Sequence, residues 1–238
     1  MDSILNYQAS IFGSFSNIKY SPENIERISS IFPKFSPNTI PITAVDIRTN
    51  QLITDNRLQF VSDDKQYYIT FLPERIDFVY NLIQGNSKKT NFEEIQKEIF
   101  DIITKIAPEF SSIKGNRLAN SCNFLTKVYS KQDIIKEINK YSSTTKFFDD
   151  TSDNIAEWQI RINNKRNFSI KSNDEDNNNI INLSLARDSD LNYRFLGTID
   201  INTNPKKDDY RFTILDLKEY VTIATENMKN ISKKINND

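Results

Sequence analysis

A strand–loop–helix unit that occurs twice is the feature that most constrains the fold of this chain. The second copy, residues 193–235, consists of a strand pattern (YRFLGTIDI), a polar loop (NTNPKKDD) and the longest amphipathic helix pattern in the sequence. The first copy, residues 76–106, has the same order. The chain is therefore predicted to use one structural unit twice.

The first unit, residues 1–112, is predicted to run β-α-β-β-β-β-α. Helices are expected after the Ser21-Pro22 cap and after Thr90, where Glu93 completes a capping-box pattern. The stretch 32–41 contains three prolines and is expected to be an irregular connection. Strands are expected at 6–13, 42–48, 57–62, 66–72 and 75–80.

The second unit, residues 113–238, is predicted to repeat that order. Helices are expected at 130–141 and after Thr213, and the segment 163–166 is expected to be a hairpin turn. The run NDEDNNN at 173–179 is expected to be a long polar loop. Strands are expected at 115–129, 155–163, 167–171, 179–187 and 193–202.

Two β-α-β-β-β-β-α units predict an α+β fold in which antiparallel sheet is covered by long helices. This order resembles the duplicated TATA-box-binding-protein fold, which implies two units joined edge to edge in one curved, saddle-like sheet. A helix-grip fold, with a curved antiparallel sheet around one long C-terminal helix, is the structural alternative. In either case the two units are expected to pack as one compact body.

Two short segments resemble a sporadically distributed bacterial protein family without an assigned catalytic activity. Gly115, Arg117 and Asn120 (GNRLAN) match the family's Gly-Leu-Arg-Tyr-x-Asn segment. Leu196 and Asp200 (LGTID) match its Leu-Asp-x-Asp segment, in which Thr198 replaces the first Asp. The resemblance suggests a role in bacterial defence or in conflict with mobile elements.

The chain of 238 residues contains no His and one Cys, Cys122. The absence of His excludes Ser–His–Asp and Cys–His nucleophile systems and every His metal ligand. Cys122 is expected to be a small buried residue rather than a nucleophile, and a single Cys fits a reducing cytosol. No phosphate-binding glycine motif occurs, so neither an enzymatic activity nor a cofactor is predicted.

Acidic residues give two weak metal candidates. Asp174, Asp176 and Asn178 fit the first positions of a calcium loop, but Leu185 stands where the loop requires Glu. The aspartates at 149, 150 and 153 lie in a Ser/Thr/Asp-rich stretch that is read as a linker. No metal site is predicted.

The net charge of −1 does not favour nucleic acid or an acidic membrane as partner. A local basic surface is the alternative, because Arg161, Lys165 and Arg166 are clustered in sequence. Further members of that surface would be Lys206, Lys207 and Arg211, with Tyr193 and Phe195 as stacking side chains.

The sequence therefore predicts a cytoplasmic, non-enzymatic binding or adaptor protein whose partner is another protein or a second copy of itself. Nucleic-acid binding on a saddle-like sheet is the second hypothesis. Arg117 and Asp200 are expected to form either a structural ion pair or part of a partner-binding groove. The candidate partner-binding residues are Arg117, Asn120, Asp200, Arg161, Lys165 and Arg166.

Overall fold

A computed structural model describes residues 3–46, 50–83, 91–141, 157–171, 173–187, 192–204 and 209–236. In chain order its elements are β1 (Ser3–Gly13), α1 (Pro22–Ile31), β2 (Phe35–Asp46), β3 (Gln51–Ser62), β4 (Tyr67–Phe71), β5 (Arg75–Asn81), α2 (Phe92–Ile106), β6 (Gly115–Leu125), α3 (Lys131–Tyr141), β7 (Gln159–Ile170), β8 (Asn173–Arg187), β9 (Tyr193–Thr203) and α4 (Ile214–Asn236). The protein is thus of mixed α+β class, as predicted.

The nine described strands form one antiparallel sheet in the order β2-β3-β4-β5-β1-β6-β9-β8-β7. The strands of the first half lie on one side of β1, and those of the second half lie on the far side of β6. β1 and β6 pair along almost their whole length, from Ser3 opposite Leu125 to Gly13 opposite Gly115. The β1–β6 pair therefore joins the two halves of the chain into a single sheet.

Local signals at the helix ends have the predicted chemistry. Ser21 caps α1 by accepting the amide of Asn24, with Pro22 at the first helical position. The Ser130 hydroxyl accepts the Asp133 amide at 3.1 Å, and Thr213 and Asp216 cap α4 in the same way. In α2 the capping box is formed by Asn91 and Glu94, one residue later than predicted; Thr90 lies outside the described residues.

The four described helices pack on one face of the sheet, which we call the helix side. α4 contacts β1, β6 and β7 as well as α2, so it spans the junction between the two halves. Its predicted apolar stripe is buried, with Leu217, Tyr220, Val221, Ala224 and Met228 fully shielded from solvent. Burying one such large apolar side chain contributes on the order of 1.5–3 kcal/mol, so this stripe contributes substantially to the stability of the core.

A buried polar contact ties the central strand pair to α4. The Tyr7 hydroxyl of β1 lies 2.9 Å from the Thr225 hydroxyl of α4, and the Asn120 amide of β6 donates to Tyr7 at 2.9 Å. All three side chains are buried. Each element at the junction therefore contributes one member of the same hydrogen-bonded group.

The stretch 32–41 is not an irregular connection, because β2 begins at Phe35 and includes Pro37 and Pro41. β2 pairs only with β3 and forms one edge of the sheet. A proline cannot donate a ladder hydrogen bond, but an edge strand has one row of amides without a sheet partner. Edge position therefore accommodates the prolines.

The predictions at 163–166 and 173–179 are also wrong. Segments 155–163 and 167–171 were expected as two strands, whereas β7 runs unbroken through 163–166 and the chain reverses after Lys171, which has a positive φ of 50°. Residues 155 and 156 lie outside the described residues. Residues 173–179 form the first half of β8, so the described residues between α3 and α4 form three strands where four were predicted.

Buried polar contacts explain why NDEDNNN forms a strand. Glu175 accepts two hydrogen bonds from the guanidinium of Arg211, at 2.8 and 2.9 Å. Asn177 accepts the Tyr220 hydroxyl at 3.0 Å. Alternate side chains of this polar run thus find partners on the helix side, and the backbone pairs with β7 and β9.

Gly197 of β9 lies opposite Phe124 of β6 on the helix side. A Cβ at this position would meet three ring carbons of Phe124 at less than 3.0 Å. The Phe124 ring therefore occupies the space that any larger residue at position 197 would need.

Gly197→Ala is expected to lower the free energy of unfolding by about 1–3 kcal/mol, the usual cost of overpacking a core. Urea unfolding measures the loss. The double variant Gly197→Ala/Phe124→Leu is expected to lose less than the sum of the two single variants. Additive losses would contradict the proposed clash between these two positions.

Candidate functional site

The candidate site is the face of the sheet opposite the helices, which we call the open face. No described helix lies on it. Alternation along the central strands places Gln8, Ser10 and Phe12 of β1 on this face, because Tyr7, Ala9 and Ile11 are buried on the helix side. The open-face members of the neighbouring strands are Arg75, Asp77 and Val79 of β5, Arg117, Ala119, Ser121 and Asn123 of β6, and Leu196, Thr198 and Asp200 of β9.

A chain of hydrogen bonds runs across β1 and β5 on the open face. The Gln8 amide donates to the Ser10 hydroxyl at 2.9 Å, and Ser10 donates to Asp77 Oδ1 at 2.7 Å. Arg75 Nε donates to Asp77 Oδ2 at 2.8 Å. Burial raises the pKa of the Asp77 carboxyl, and the bonds from Ser10 and Arg75 offset only part of that rise.

Beside this network the ring of Phe12 lies between two arginines. The Arg117 guanidinium carbon is 4.5 Å from the ring centre, and that of Arg75 is 6.0 Å away on the opposite strand. A cation–π contact attracts the guanidinium to the face of the ring and so favours this position of the arginine side chain. Arg75 of β5 and Arg117 of β6 therefore flank the Phe12 ring of β1.

The two arginines differ in their partners. Arg75 is paired with Asp77, whereas Arg117 is half-buried and makes no ion pair with the described residues. The Nε of Arg117 is buried and has no hydrogen-bond partner there. The guanidinium of Arg117 thus lies on the open face without a hydrogen-bond acceptor among the described residues.

The structure does not bring Arg117 and Asp200 together as an ion pair. Asp200 lies opposite Ser121 of β6, four residues along the strand from Arg117. Both side chains are partly exposed on the open face, and within the described part of the chain neither has an ion-pair partner. The expected structural pair is therefore absent from the described contacts.

Asn120 is placed differently from Arg117 and Asp200. Its side chain is fully buried on the helix side, where it bonds Tyr7. No partner could reach it without disrupting the core, so the structure gives it a role in the scaffold.

The predicted basic cluster is divided between the two faces. Arg161 and Lys165 lie exposed on the open side of the outermost strand β7, whereas Arg166 points to the helix side and donates to Asn227 of α4 at 3.1 Å. Arg211 is engaged by Glu175 and Asp209. Residues 206 and 207 lie outside the described residues.

The aromatic side chains expected to accompany that cluster are not at the surface. Tyr193 and Phe195 are buried on the helix side, where Phe195 packs against Trp158. They cannot stack with bases in this conformation. The basic-aromatic surface predicted for nucleic acid is therefore not assembled from these residues.

Nucleophile and metal chemistry find no support among the described residues. Cys122 is buried, and desolvation raises the pKa of its thiol to about 12, which keeps it protonated and inert. Asp174 and Asp176 lie on strand β8 rather than in a loop. No three His, Cys, Asp or Glu side chains in the described ranges could share a metal ion. The aspartates at 149, 150 and 153 lie outside those ranges.

Sequence reasoning missed Phe12, Asp77 and Ser10 as members of the site. The signal was present in the alternation of β1, where Asn6, Gln8 and Ser10 are polar while the intervening residues are apolar. The partner strands could not be assigned from the sequence, so the polar network between β1 and β5 could not be constructed.

No family model, curated protein or solved structure matches this chain. Within the described residues, no helix combines the length and apolar character needed to cross a bilayer.

The raised pKa of Asp77 predicts a specific pH dependence. A carboxyl whose pKa is higher in the folded state binds its proton more tightly there, so it favours folding most below its ordinary value of 3.8. This contribution is lost as the pH rises through the raised pKa. The difference in unfolding free energy between the wild type and Asp77→Asn is therefore expected to fall with increasing pH.

Asp133→Asn is the matched control, measured by urea unfolding at the same series of pH values. The hydrogen bond from Ser130 lowers the pKa of Asp133, so its contribution is present above 3.8 and lost as the pH falls. The two differences should have opposite slopes. A flat or rising difference for Asp77→Asn would contradict the assignment.

Proposed function

We propose that this chain is a non-enzymatic binding protein that docks another protein, or a second copy of itself, on the open face of its sheet. Arg117 carries this proposal. Its guanidinium is held over Phe12, is partly desolvated and has no acceptor among the described residues. Arginines in that state are typical anchors of protein interfaces, where they bind a carboxylate or carbonyl of the partner.

The charge on the open face favours a protein over a nucleic acid. Cationic Arg117 and anionic Asp200 have no ion-pair partner among the described residues, and Asp174 and Asp176 lie on the same side of β8. A surface for the phosphate backbone would be predominantly basic. Mixed charges suit a protein surface that presents both signs.

The strand order also supports the proposal that the fold is an internal duplication of the TATA-box-binding-protein type. Among the described strands, the two sides of the β1–β6 pair have corresponding orders, β5-β4-β3-β2 and β9-β8-β7, with one strand fewer on the second side. On this proposal the open face corresponds to the saddle. A cytoplasmic role in defence or mobile-element conflict rests on the resemblance of the GNRLAN and LGTID segments alone.

Site-specific photo-cross-linking tests where the partner docks. A photoactivatable side chain at Ser121, opposite Asp200 and on the same strand as Arg117, is expected to capture a stoichiometric protein partner or a second copy. The same group at Thr222, exposed on α4, serves as the control and is expected to capture neither. Capture from Thr222 alone, or from neither position, would contradict docking on the open face.

Arg117→Ala is expected to weaken binding of the captured partner by about tenfold or more, because a hydrogen bond to a charged group contributes roughly 1.5–3 kcal/mol. The stability should fall by about 0.5–2 kcal/mol, the range of a cation–π contact between exposed and desolvated positions. Calorimetry and urea unfolding measure the two effects, with Lys136→Ala on α3 as the control. Unchanged binding with lost stability would show that Arg117 is only structural.

Nucleic-acid binding on the same sheet is the alternative. The exposed side chains of Arg161 and Lys165 are the remaining observation in its favour. It predicts a mobility shift that weakens steeply with salt. If no shift occurs even at low salt, the alternative is excluded.

A further inference from the structure

A concave site lies on the helix side of the sheet, separate from the open face. It is a cleft of about 250 Å³ between the C-terminal half of α4, the end of α3 and the outer strands β7 and β8. Its apolar wall consists of Ile160, Ile162, Ile181, Leu183, Ile231 and Ile235. Ile162 is 45% exposed, so this wall is reached directly from solvent.

One wall of the cleft carries a directed chain of hydrogen bonds. Arg166 donates to Asn227 Oδ1 at 3.1 Å, and Asn227 Nδ2 donates to Asn179 Oδ1 at 3.1 Å. A guanidinium can only donate, so it fixes the orientation of Asn227 and through it that of Asn179. The Nδ2 of Asn179 is left as the free end of the chain.

That free donor is buried. Asn179 is 3% exposed, and its Nδ2 has no hydrogen-bond partner within the described structure. A buried donor without an acceptor costs roughly 1–3 kcal/mol. An acceptor supplied by a ligand in the cleft would remove this cost.

The charged side chains among the described residues that line the cleft are all cationic. Arg166 and Lys234 both line it, and neither makes an ion pair with the residues that the structure describes. None of the described residues lining the cleft is acidic. An anion entering here would meet two cations and, among the described lining residues, no acidic side chain.

We propose that this cleft binds a small aliphatic carboxylate. The alkyl chain would lie along the isoleucine and leucine wall, and the carboxylate would accept hydrogen bonds from the Asn179 amide and Arg166, with Lys234 adding its charge. The volume is below that of pockets for drug-sized ligands, which is on the order of 300–1,000 Å³, so a short chain fits better than a long one. This assignment is independent of docking on the open face.

Titration calorimetry with octanoate tests the proposal on the full chain, with octanamide as the neutral ligand of matched shape. Octanoate is expected to bind saturably with one site per chain, and octanamide about tenfold or more weakly, because it lacks the charge. The amide resonances of Asn179 Nδ2 should shift on addition of octanoate. Absence of saturable binding, or equal affinity for the two ligands, would overturn the proposal.

Two variants locate the binding. Ile162→Trp fills the cleft from its exposed side and is expected to abolish octanoate binding, whereas Leu196→Trp, at an exposed leucine of the open face, should leave it unchanged. Arg166→Gln/Lys234→Gln retains hydrogen-bonding groups but removes both charges, and is expected to reduce the preference for octanoate over octanamide. Wild-type binding by Ile162→Trp, with thermal unfolding showing that it is folded, would place any octanoate site elsewhere.

Discussion

The pairing of β1 with β6 is the interaction on which the rest of this structure depends. Each strand belongs to a different half of the chain, and each forms its other ladder within its own half. Without the pair, each half would expose a long unpaired strand edge. Such edges favour pairing with strands of other molecules. The buried group of Tyr7, Asn120 and Thr225 reinforces the pair from the helix side by fixing α4 over the junction. The β1–β6 contact therefore joins the strands into one continuous sheet, and α4 packs across this junction on the helix side.

A sheet covered on one side has two different faces, and this difference separates scaffold from candidate function. Apolar side chains of alternate strand positions are used in packing against the helices. Most of the intervening positions are polar or charged, and they include Arg117 and Asp200, whose charges lack ion-pair partners among the described residues. The strand positions that alternate with the packed ones thus form a surface on which some groups, such as Ser10 and Asp77, bond each other while others remain available to a partner. The open face is for this reason a better candidate for docking than the packed face of α4.

The helices were predictable because their signals are local. Ser21-Pro22, Ser130 with Asp133 and Thr213 with Asp216 act within one turn, and the α4 stripe follows from helical periodicity. The hairpins of the first half were predictable because alternation and turn residues agree at 57–62, 66–72 and 75–80. The first half of β8 was missed because Glu175, Asn177 and Asn179 bond Arg211, Tyr220 and Asn227, which lie far away in sequence. The Arg117–Asp200 distance depends on the β6–β9 register, which no local pattern encodes.

Equilibrium unfolding in urea tests most directly whether the β1–β6 pair makes one cooperative body. Trp158 is the only tryptophan and packs against Phe195 in the second half, so its fluorescence reports on that half alone. Far-UV circular dichroism reports on both halves. Coincident transitions, with the same midpoint and slope, are the expected result. A fluorescence transition separated from the circular dichroism transition would show that the halves unfold independently and would contradict the central role of the β1–β6 pair.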